Sequence, residues 1–259
     1  MIGDDDILDK VSVNNIYMNY HTINSSVQAL KNVTFSVKDG EFLSIVGPSG
    51  CGKSTLLNII SGLTSASFGD VLIDGEKVIS MSKKLGYMFQ RDHLFNWINV
   101  WDNIMLGIKI QHKSKIEYEN KVENLLLNYG LHDFKFNYPN ELSGGMRQKV
   151  ALIRTLALDP EVLLLDEPFS ALDYQTRLNI SDEIYNIIKK EEKTVIMVTH
   201  DISEAIAMSD RVIVLSKRPA QVNNIFKITF SIPHHSPIKC REDPAFRIYF
   251  NDIWKELNV

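Results

Sequence analysis

The stretch Gly47-Pro48-Ser49-Gly50-Cys51-Gly52-Lys53-Ser54-Thr55 constrains this chain most, because it satisfies G-x-x-x-x-G-K-[ST] in full. Upstream, Phe42-Leu43-Ser44-Ile45-Val46 reads as a short buried strand. Downstream, Leu56, Leu57, Ile59, Ile60 and Leu63 recur at helical spacing. Glycines between a strand and a helix let the backbone curl around phosphate oxygens. The N–H groups of the loop and of the helix start then point at the anion. In such a loop Lys53 brings charge to the β- and γ-phosphates, and the Ser54 hydroxyl ligates Mg²⁺. The stretch predicts an α/β chain that holds a nucleotide by its phosphates.

Bulk properties narrow the surroundings. The chain has 259 residues, enough for one large domain or two small ones. Its net charge is −4, with acidic and basic residues interspersed. No basic stripe is present, so a nucleic-acid partner is not expected. Cys51 and Cys240 form no metal or redox spacing and suit a reducing cytoplasm. Cys51 reads as a small residue that fits the loop, and its alkylation is expected to block nucleotide binding. No apolar run approaches the roughly 18–20 residues needed to span a bilayer. The acidic start reads as neither a signal nor a transit peptide. Any membrane role is therefore expected to come through a partner.

Taken in order, residues 11–46 read as a run of strands, with Lys38-Asp39-Gly40 as a hairpin turn into Glu41-Phe42. Neighbouring strands this close are expected to pair antiparallel. Tyr20 ends a strand before a polar loop, where it either stacks on a nucleotide base or is an edge tyrosine. A strand at 69–73 leads into a hairpin turn, and another at 85–89 stops at Gln90. From residue 91 to about residue 156 the pattern turns helical. Phe95, Trp97 and Trp101 cluster here, either as a small aromatic core or as an apolar docking surface.

Leu142-Ser143-Gly144-Gly145-Met146-Arg147-Gln148 opens a helix, with Ser143 as its N-cap. This is a second anion-binding helix start. One nucleotide already held at residues 47–55 does not need it, which suggests that it serves another copy of the chain. Residues 161–167 form a buried strand ending in Asp166 and Glu167. Asp166 is placed to reach Mg²⁺ and Glu167 to act as base on the attacking water. Ser170-Ala171-Leu172-Asp173 opens a helix that runs to about Lys190, with Leu178, Ile184, Ile187 and Ile188 on its buried face. The strand at 195–199 ends at His200. Ligands in open parallel sheets bind outside the carboxyl ends of strands, so Gln90, Asp166, Glu167 and His200 could all face one γ-phosphate. Pro233 and Pro237 mark a loop around His234 and His235, read with Cys240 as no metal site. Asp243 and Pro244 open a last helix, with Phe246, Tyr249, Phe250, Ile253, Trp254 and Leu257 as its apolar stripe.

Together these motifs resemble the ATP-binding subunit of an ABC transporter over nearly the whole chain. Residues 47–55 resemble Walker A, and 162–167 resemble Walker B with the catalytic glutamate. Gln90 resembles the Q-loop glutamine, 142–148 the ABC signature, 170–173 the D-loop and His200 the switch histidine. Tyr20 resembles the A-loop aromatic. Phe89-Gln90 leading to Trp97, Met146-Arg147-Gln148, Leu215-Ser216-Lys217-Arg218-Pro219 and the 241–254 tail resemble the nitrate, sulfonate and taurine importer branch.

The resemblance implies an α/β P-loop NTPase (RecA-like) core with an N-terminal antiparallel β subdomain. Residues 1–90 and 157–230 would form the core with its β subdomain, 91–156 an inserted α-helical subdomain, and 231–259 a tail, all within one cassette. It implies an ATPase at the cytoplasmic face of the cell membrane, with permease subunits and an extracytoplasmic substrate-binding protein in its complex. Two chains would close head to tail on two ATP molecules with Mg²⁺. Each ATP would lie between residues 47–55 of one chain and Ser143, Gly144, Gly145 and Asp173 of the other. Tyr20 would stack on adenine, His200 would hold the γ-phosphate, and Gln90 would sense Mg²⁺ or water. The alternatives are the ATPase of an exporter and a non-transport ABC ATPase acting on nucleic acid or ribosomes.

Overall fold

Short apolar strands that are buried over their whole length belong in the middle of a parallel sheet covered on both faces. Three stretches of this chain meet that description, and they set the architecture. The computed structural model describes residues 9–22, 25–231 and 236–258. It opens with β1 (Val11–Thr22), β2 (Ser25–Val37) and β3 (Phe42–Val46), followed by α1 (Lys53–Ile60). Next come β4 (Phe68–Ile73), β5 (Glu76–Lys77) and β6 (Leu85–Met88). Helices α2 (Val100–Ile110), α3 (Lys115–Asn128) and α4 (Gly144–Leu156) follow. The chain then alternates through β7 (Val162–Asp166), α5 (Tyr174–Lys190), β8 (Thr194–Val198), α6 (Ile202–Met208) and β9 (Arg211–Leu215). It ends in β10 (Val222–Lys227), α7 (Pro237–Cys240) and α8 (Pro244–Leu257).

Among the described residues the strands form two sheets, ordered β2-β1-β4-β5 and β10-β9-β3-β8-β7-β6. The first is antiparallel. In the second, β9, β3, β8, β7 and β6 run parallel, and β10 is an antiparallel edge. The inner strands β3, β7 and β8 are buried at every position. Leu43, Ile45, Leu164 and Val198 face the antiparallel sheet, with Leu56, Leu57 and Ile60 of α1 between the two layers. Phe42, Leu163, Leu165, Val195 and Met197 face the other way, onto α2, α4 and α5. No described helix is long and apolar enough to cross a membrane.

The structure corrects several local expectations. Lys38-Asp39-Gly40 is not a hairpin turn, because β3 leaves the first sheet and pairs with β8 and β9 in the second. A strand apolar on both faces needs cover on both, which the antiparallel sheet does not give. The crossing is held by Arg211, whose guanidinium reaches the Ser36 carbonyl (3.1 Å) and the Glu41 carboxylate (3.0 Å). β1 runs on past Tyr20 to Thr22, so Tyr20 is not at a strand end. Leu178 is only half-buried, and Ile180 takes its place on the inner face of α5. On α8 only Ile253 is fully buried, and Trp254 stacks outside on Phe250 at 6.2 Å. His234 and His235 lie outside the described residues. Cys240 is buried in α7, not in a loop.

One polar knot ties the loop before α5 to the segment after β8. Arg177 donates to the Leu172 carbonyl (3.0 Å) and pairs with Asp201 (3.3 Å). The Thr199 hydroxyl donates to Glu204 Oε2 at 2.8 Å. Arg177 Nε is 3.7 Å from Glu204 Oε1, beyond hydrogen-bond reach, and that nitrogen is otherwise unpaired. Burial dominates at Glu204 and, helped by the charge of Asp201, pushes its carboxyl up to about 7, although Thr199, Arg177 and His200 pull the other way.

A raised carboxyl has a definite sign. Between pH 4.5 and about 7 folded Glu204 keeps a proton that the unfolded chain has lost, so its burden grows as pH rises through that window. Glu204→Gln, which can still accept from Thr199, should match the wild type in stability below about pH 4.5 and exceed it by about 3 kcal/mol above pH 7. Denaturant unfolding of both proteins across pH 4.5–8 checks this. A variant less stable than the wild type at pH 8 would contradict it.

Candidate functional site

Parallel pairing puts the carboxyl ends of neighbouring strands on one edge. Here β3 leads into residues 47–55, β8 into His200, β7 into Asp166 and Glu167, and β6 into Gln90. Their order across the sheet is β3-β8-β7-β6. Four segments separated by up to 150 residues of sequence thus open onto one cavity of 550 Å³. Its lining includes Ser49, Lys53, Gln90, Glu167, His200 and Arg218.

The loop has the backbone that its glycines promise. Gly50 and Gly52 sit at φ +71° and +130°, in the region that a Cβ disfavours, and a Cβ on Gly52 would also stand 2.9 Å from Leu30 Cδ2. Gly52 caps α1 without a side chain, so the first N–H groups of the helix stay with the loop. Lys53 is buried and donates to the carbonyls of Gly47 (2.8 Å) and Pro48 (3.1 Å), which spans the loop like a chord. Cys51 is buried inside the curl, and burial raises its thiol pKa. That agrees with a filler and makes its alkylation slow.

Ser54 Oγ donates to Asp166 Oδ1 at 3.1 Å. The Tyr87 hydroxyl lies 3.1 Å from Asn58 Oδ1 and 3.4 Å from the other Asp166 oxygen, so its one hydrogen serves either acceptor. Burial raises the Asp166 pKa, Ser54 moderates the rise and the charge of Glu167 adds to it. A hydroxyl and a buried carboxylate in contact, both oxygen donors, form a set suited to a hard cation such as Mg²⁺.

Glu167 leaves the strand at φ +45°, and its N–H bonds the Val198 carbonyl (2.8 Å). The turn breaks the strand's alternation and carries the side chain over the sheet edge. There one oxygen, Oε2, accepts from Gln90 Nε2 at 3.0 Å and lies 3.1 Å from His200 Nδ1. Three residues anticipated from separate strand ends therefore meet at a single carboxylate oxygen. The Gln90 segment is itself tied to α4. Arg154 donates to the carbonyls of Asp92 (2.7 Å) and His93 (2.8 Å), and Arg147 Nε pairs with Asp92 at 3.1 Å.

Tyr20 stands beside the loop, with its hydroxyl 3.3 Å from Thr55 Oγ1. Ser143 caps α4 by accepting from the Met146 N–H at 3.3 Å. Gly144 and Gly145 pack closely, and a Cβ on Gly145 would stand 2.8 Å from Ile180 Cδ1. Asp173 caps α5 through the Thr176 N–H (3.0 Å). None of Ser143, Gly144, Gly145 or Asp173 lines the cavity around the loop of their own chain.

The aromatic cluster divides. Phe95 lines a second, apolar groove of 740 Å³ with Phe89, Leu106, Ile110 and Leu158. Trp97 leans on Phe95 at 4.9 Å and is mostly exposed. Trp101 instead packs on the helical core, under Lys135. Sequence reasoning missed Tyr87, Arg154, Arg177 and Arg218 as site-shaping residues. Apart from the Leu172 carbonyl that Arg177 meets, their partners lie tens to more than a hundred residues away, and only the proline beside Arg218 marks a fixed turn.

Known proteins resemble this chain in sequence and in fold. The family described as ABC transporter matches residues 30–170, more than half of the chain. An uncharacterized ABC transporter ATP-binding protein of Bacillus subtilis, YtlC, is 44% identical over 246 residues, covering 95% of both chains. The aliphatic sulfonates import ATP-binding protein SsuB of Bacillus thuringiensis is 40% identical over 87% of this chain and 88% of its own. Among solved structures, the dimeric post-hydrolysis state of the ATP-binding cassette MJ0796 bound to ADP and Pi superposes with a TM-score of 0.72 at 34% identity, over 85% of this chain and 99% of that one. The family match, the relatives and the solved structures agree, and the chain belongs to the ABC transporter family.

Proposed function

We propose that this chain is the ATP-binding, ATP-hydrolysing subunit that energises an importer for a small solute of the sulfonate class. The observation that carries the hydrolytic reading is Glu167 Oε2, shared by Gln90 and His200 at the edge that also bears the phosphate loop. Residues 47–55 hold the phosphates, and Tyr20 stacks on adenine. Ser54 and Asp166, with Gln90, would hold Mg²⁺, which when bound neutralises phosphate charge and orients the terminal phosphate. Glu167 takes the proton of the attacking water. His200, with Nδ1 3.1 Å from Glu167 Oε2, also lines the cavity and would hold the γ-phosphate. The side chain of Gln90 fixes the second direction of the same carboxylate.

The reading needs two chains. Ser143, Gly144, Gly145 and Asp173 stand apart from the cavity of their own chain, so they complete the site of a second copy. The groove beginning at Phe89, next to Gln90, receives an apolar cytoplasmic segment of a permease. Arg154 and Arg147 fasten that rim to α4, so rearrangement at the nucleotide and at the groove moves as one piece. An extracytoplasmic binding protein would deliver the solute, and this subunit would work at the cytoplasmic face of the membrane. The sulfonate class is supported by the names of relatives such as SsuB.

Two substitutions test the roles. Glu167→Gln keeps the size of the side chain and loses its basicity, so ATP affinity should hold while turnover falls about 100-fold or more. Single-turnover hydrolysis near the wild-type rate would remove Glu167 as the base. Ser143→Arg should leave ATP binding to the isolated chain within about twofold while multiple-turnover hydrolysis is lost, for a tenfold affinity change would need about 1.4 kcal/mol at a site Ser143 does not line. Isothermal titration and phosphate release measure the pair. Weakened binding in the isolated chain would contradict the two-chain site.

A further inference from the structure

The turn after β9 reaches back to the crest of the phosphate loop. Arg218 Nη2 donates to the Gly50 carbonyl at 2.5 Å, across 168 positions of sequence. The same side chain lines the nucleotide cavity with Ser49, Lys53, Thr55, Glu167 and His200. The turn is rigidly built. Ser216 Oγ donates to the carbonyl of Lys217 (2.9 Å) and accepts from the Gln221 N–H (3.0 Å). Ala220 is buried and ladders with β2, where its N–H meets the Ala29 carbonyl and its carbonyl accepts from Lys31, both at 2.9 Å. Leu30, between them, is the residue against which Gly52 of the loop packs. Loop and turn are thus braced on one stretch of β2, and Arg218 closes the circuit.

The charge inventory of the cavity asks for this residue. Lys53 spends two of its three donors on the Gly47 and Pro48 carbonyls. Glu167 lines the cavity, and Asp166 lies behind Ser54, so two carboxylates oppose a polyanionic ligand. Lys53 and Arg218 are the lysine and arginine of the lining among the described residues. A guanidinium carries five donors, and the Gly50 bond uses one.

We propose that Arg218 is a second basic side chain of the nucleotide site, which fastens the crest of the phosphate loop at Gly50 and places a guanidinium on the β- and γ-phosphates. This inference rests on the reading of residues 47–55 as a nucleotide-phosphate site.

The test measures ATP, ADP and AMP binding to the isolated chain for wild type, Arg218→Gln, Arg218→Lys and Arg218→Ala at two salt concentrations. Gln keeps a donor for Gly50 without charge, and Lys keeps the charge. Thermal melts verify that each variant is folded. The expected result is ATP and ADP affinity weakened about fivefold by Arg218→Gln, AMP affinity little changed, and ATP affinity restored within about twofold by Arg218→Lys. The gap should narrow at high salt, since the rim is exposed. Arg218→Gln binding ATP like the wild type overturns the proposal, and with Arg218→Ala weaker it leaves Arg218 as a fastener of the loop alone. An equal loss for AMP and ATP also overturns it, because the β- and γ-phosphates are then not what the guanidinium meets. A wild type that fails to bind ATP would instead sink the reading of the whole site.

Discussion

Parallel pairing of β3, β8, β7 and β6 is the constraint from which the rest of this molecule follows. Each strand is a handful of residues long, and each ends in a residue of no great distinction alone: a glutamine, an aspartate beside a glutamate, a histidine, a glycine. Register puts Val162 to Asp166 beside Thr194 to Val198, and Phe42 to Ile45 beside Val195 to Val198. The polar ends are then forced onto a shared edge. The inner strands are buried on both faces, so a slipped register would exchange the side chains that face the two cores and spoil the packing of both. Hydrophobic burial in the sheet is what holds Gln90, Glu167 and His200 within hydrogen-bond reach.

Electrostatics then sorts the roles of similar groups. Asp166 and Glu167 are neighbours in sequence, but the φ +45° turn at Glu167 sends them to different surroundings. Asp166 is buried against Ser54 and Tyr87, as a ligand to a hard cation would be. Glu167 reaches the cavity and is oriented by an amide and an imidazole. Glu204, a few residues beyond His200, shows a third environment, where burial outweighs a distant arginine. The knot of Arg177, Asp201 and Glu204 matters to function because it fixes the loop before α5 and the segment carrying His200 to each other.

What was legible in the sequence follows from locality. The phosphate loop, the N-caps Ser143 and Asp243, and the polar strand ends are written in contiguous residues, and the structure has the caps and the strand ends where the pattern puts them. The turn at Lys38-Asp39-Gly40 was misread because a hairpin and a crossing between sheets use the same turn residues. Only the pairing of β3 with β8 and β9, more than 150 residues on, decides between them. Trp101 and Trp97 look alike in sequence, yet one packs on the core and the other stands in solvent. Arg218 was invisible as a site residue for the same reason: its partner Gly50 is distant in the chain, and nothing periodic marks the contact.

The central claim is that residues 47–55 form half of a site that another copy completes, since Ser143, Gly144 and Gly145 stand apart from the cavity of their own chain. Sedimentation of the Glu167→Gln chain with and without saturating Mg-ATP tests this most directly. The account predicts a monomer without nucleotide and a dimer with it, and a dimer that fails to form when Ser143→Arg is added to the same chain. A Glu167→Gln chain that binds ATP at full occupancy and still sediments as a monomer would contradict it.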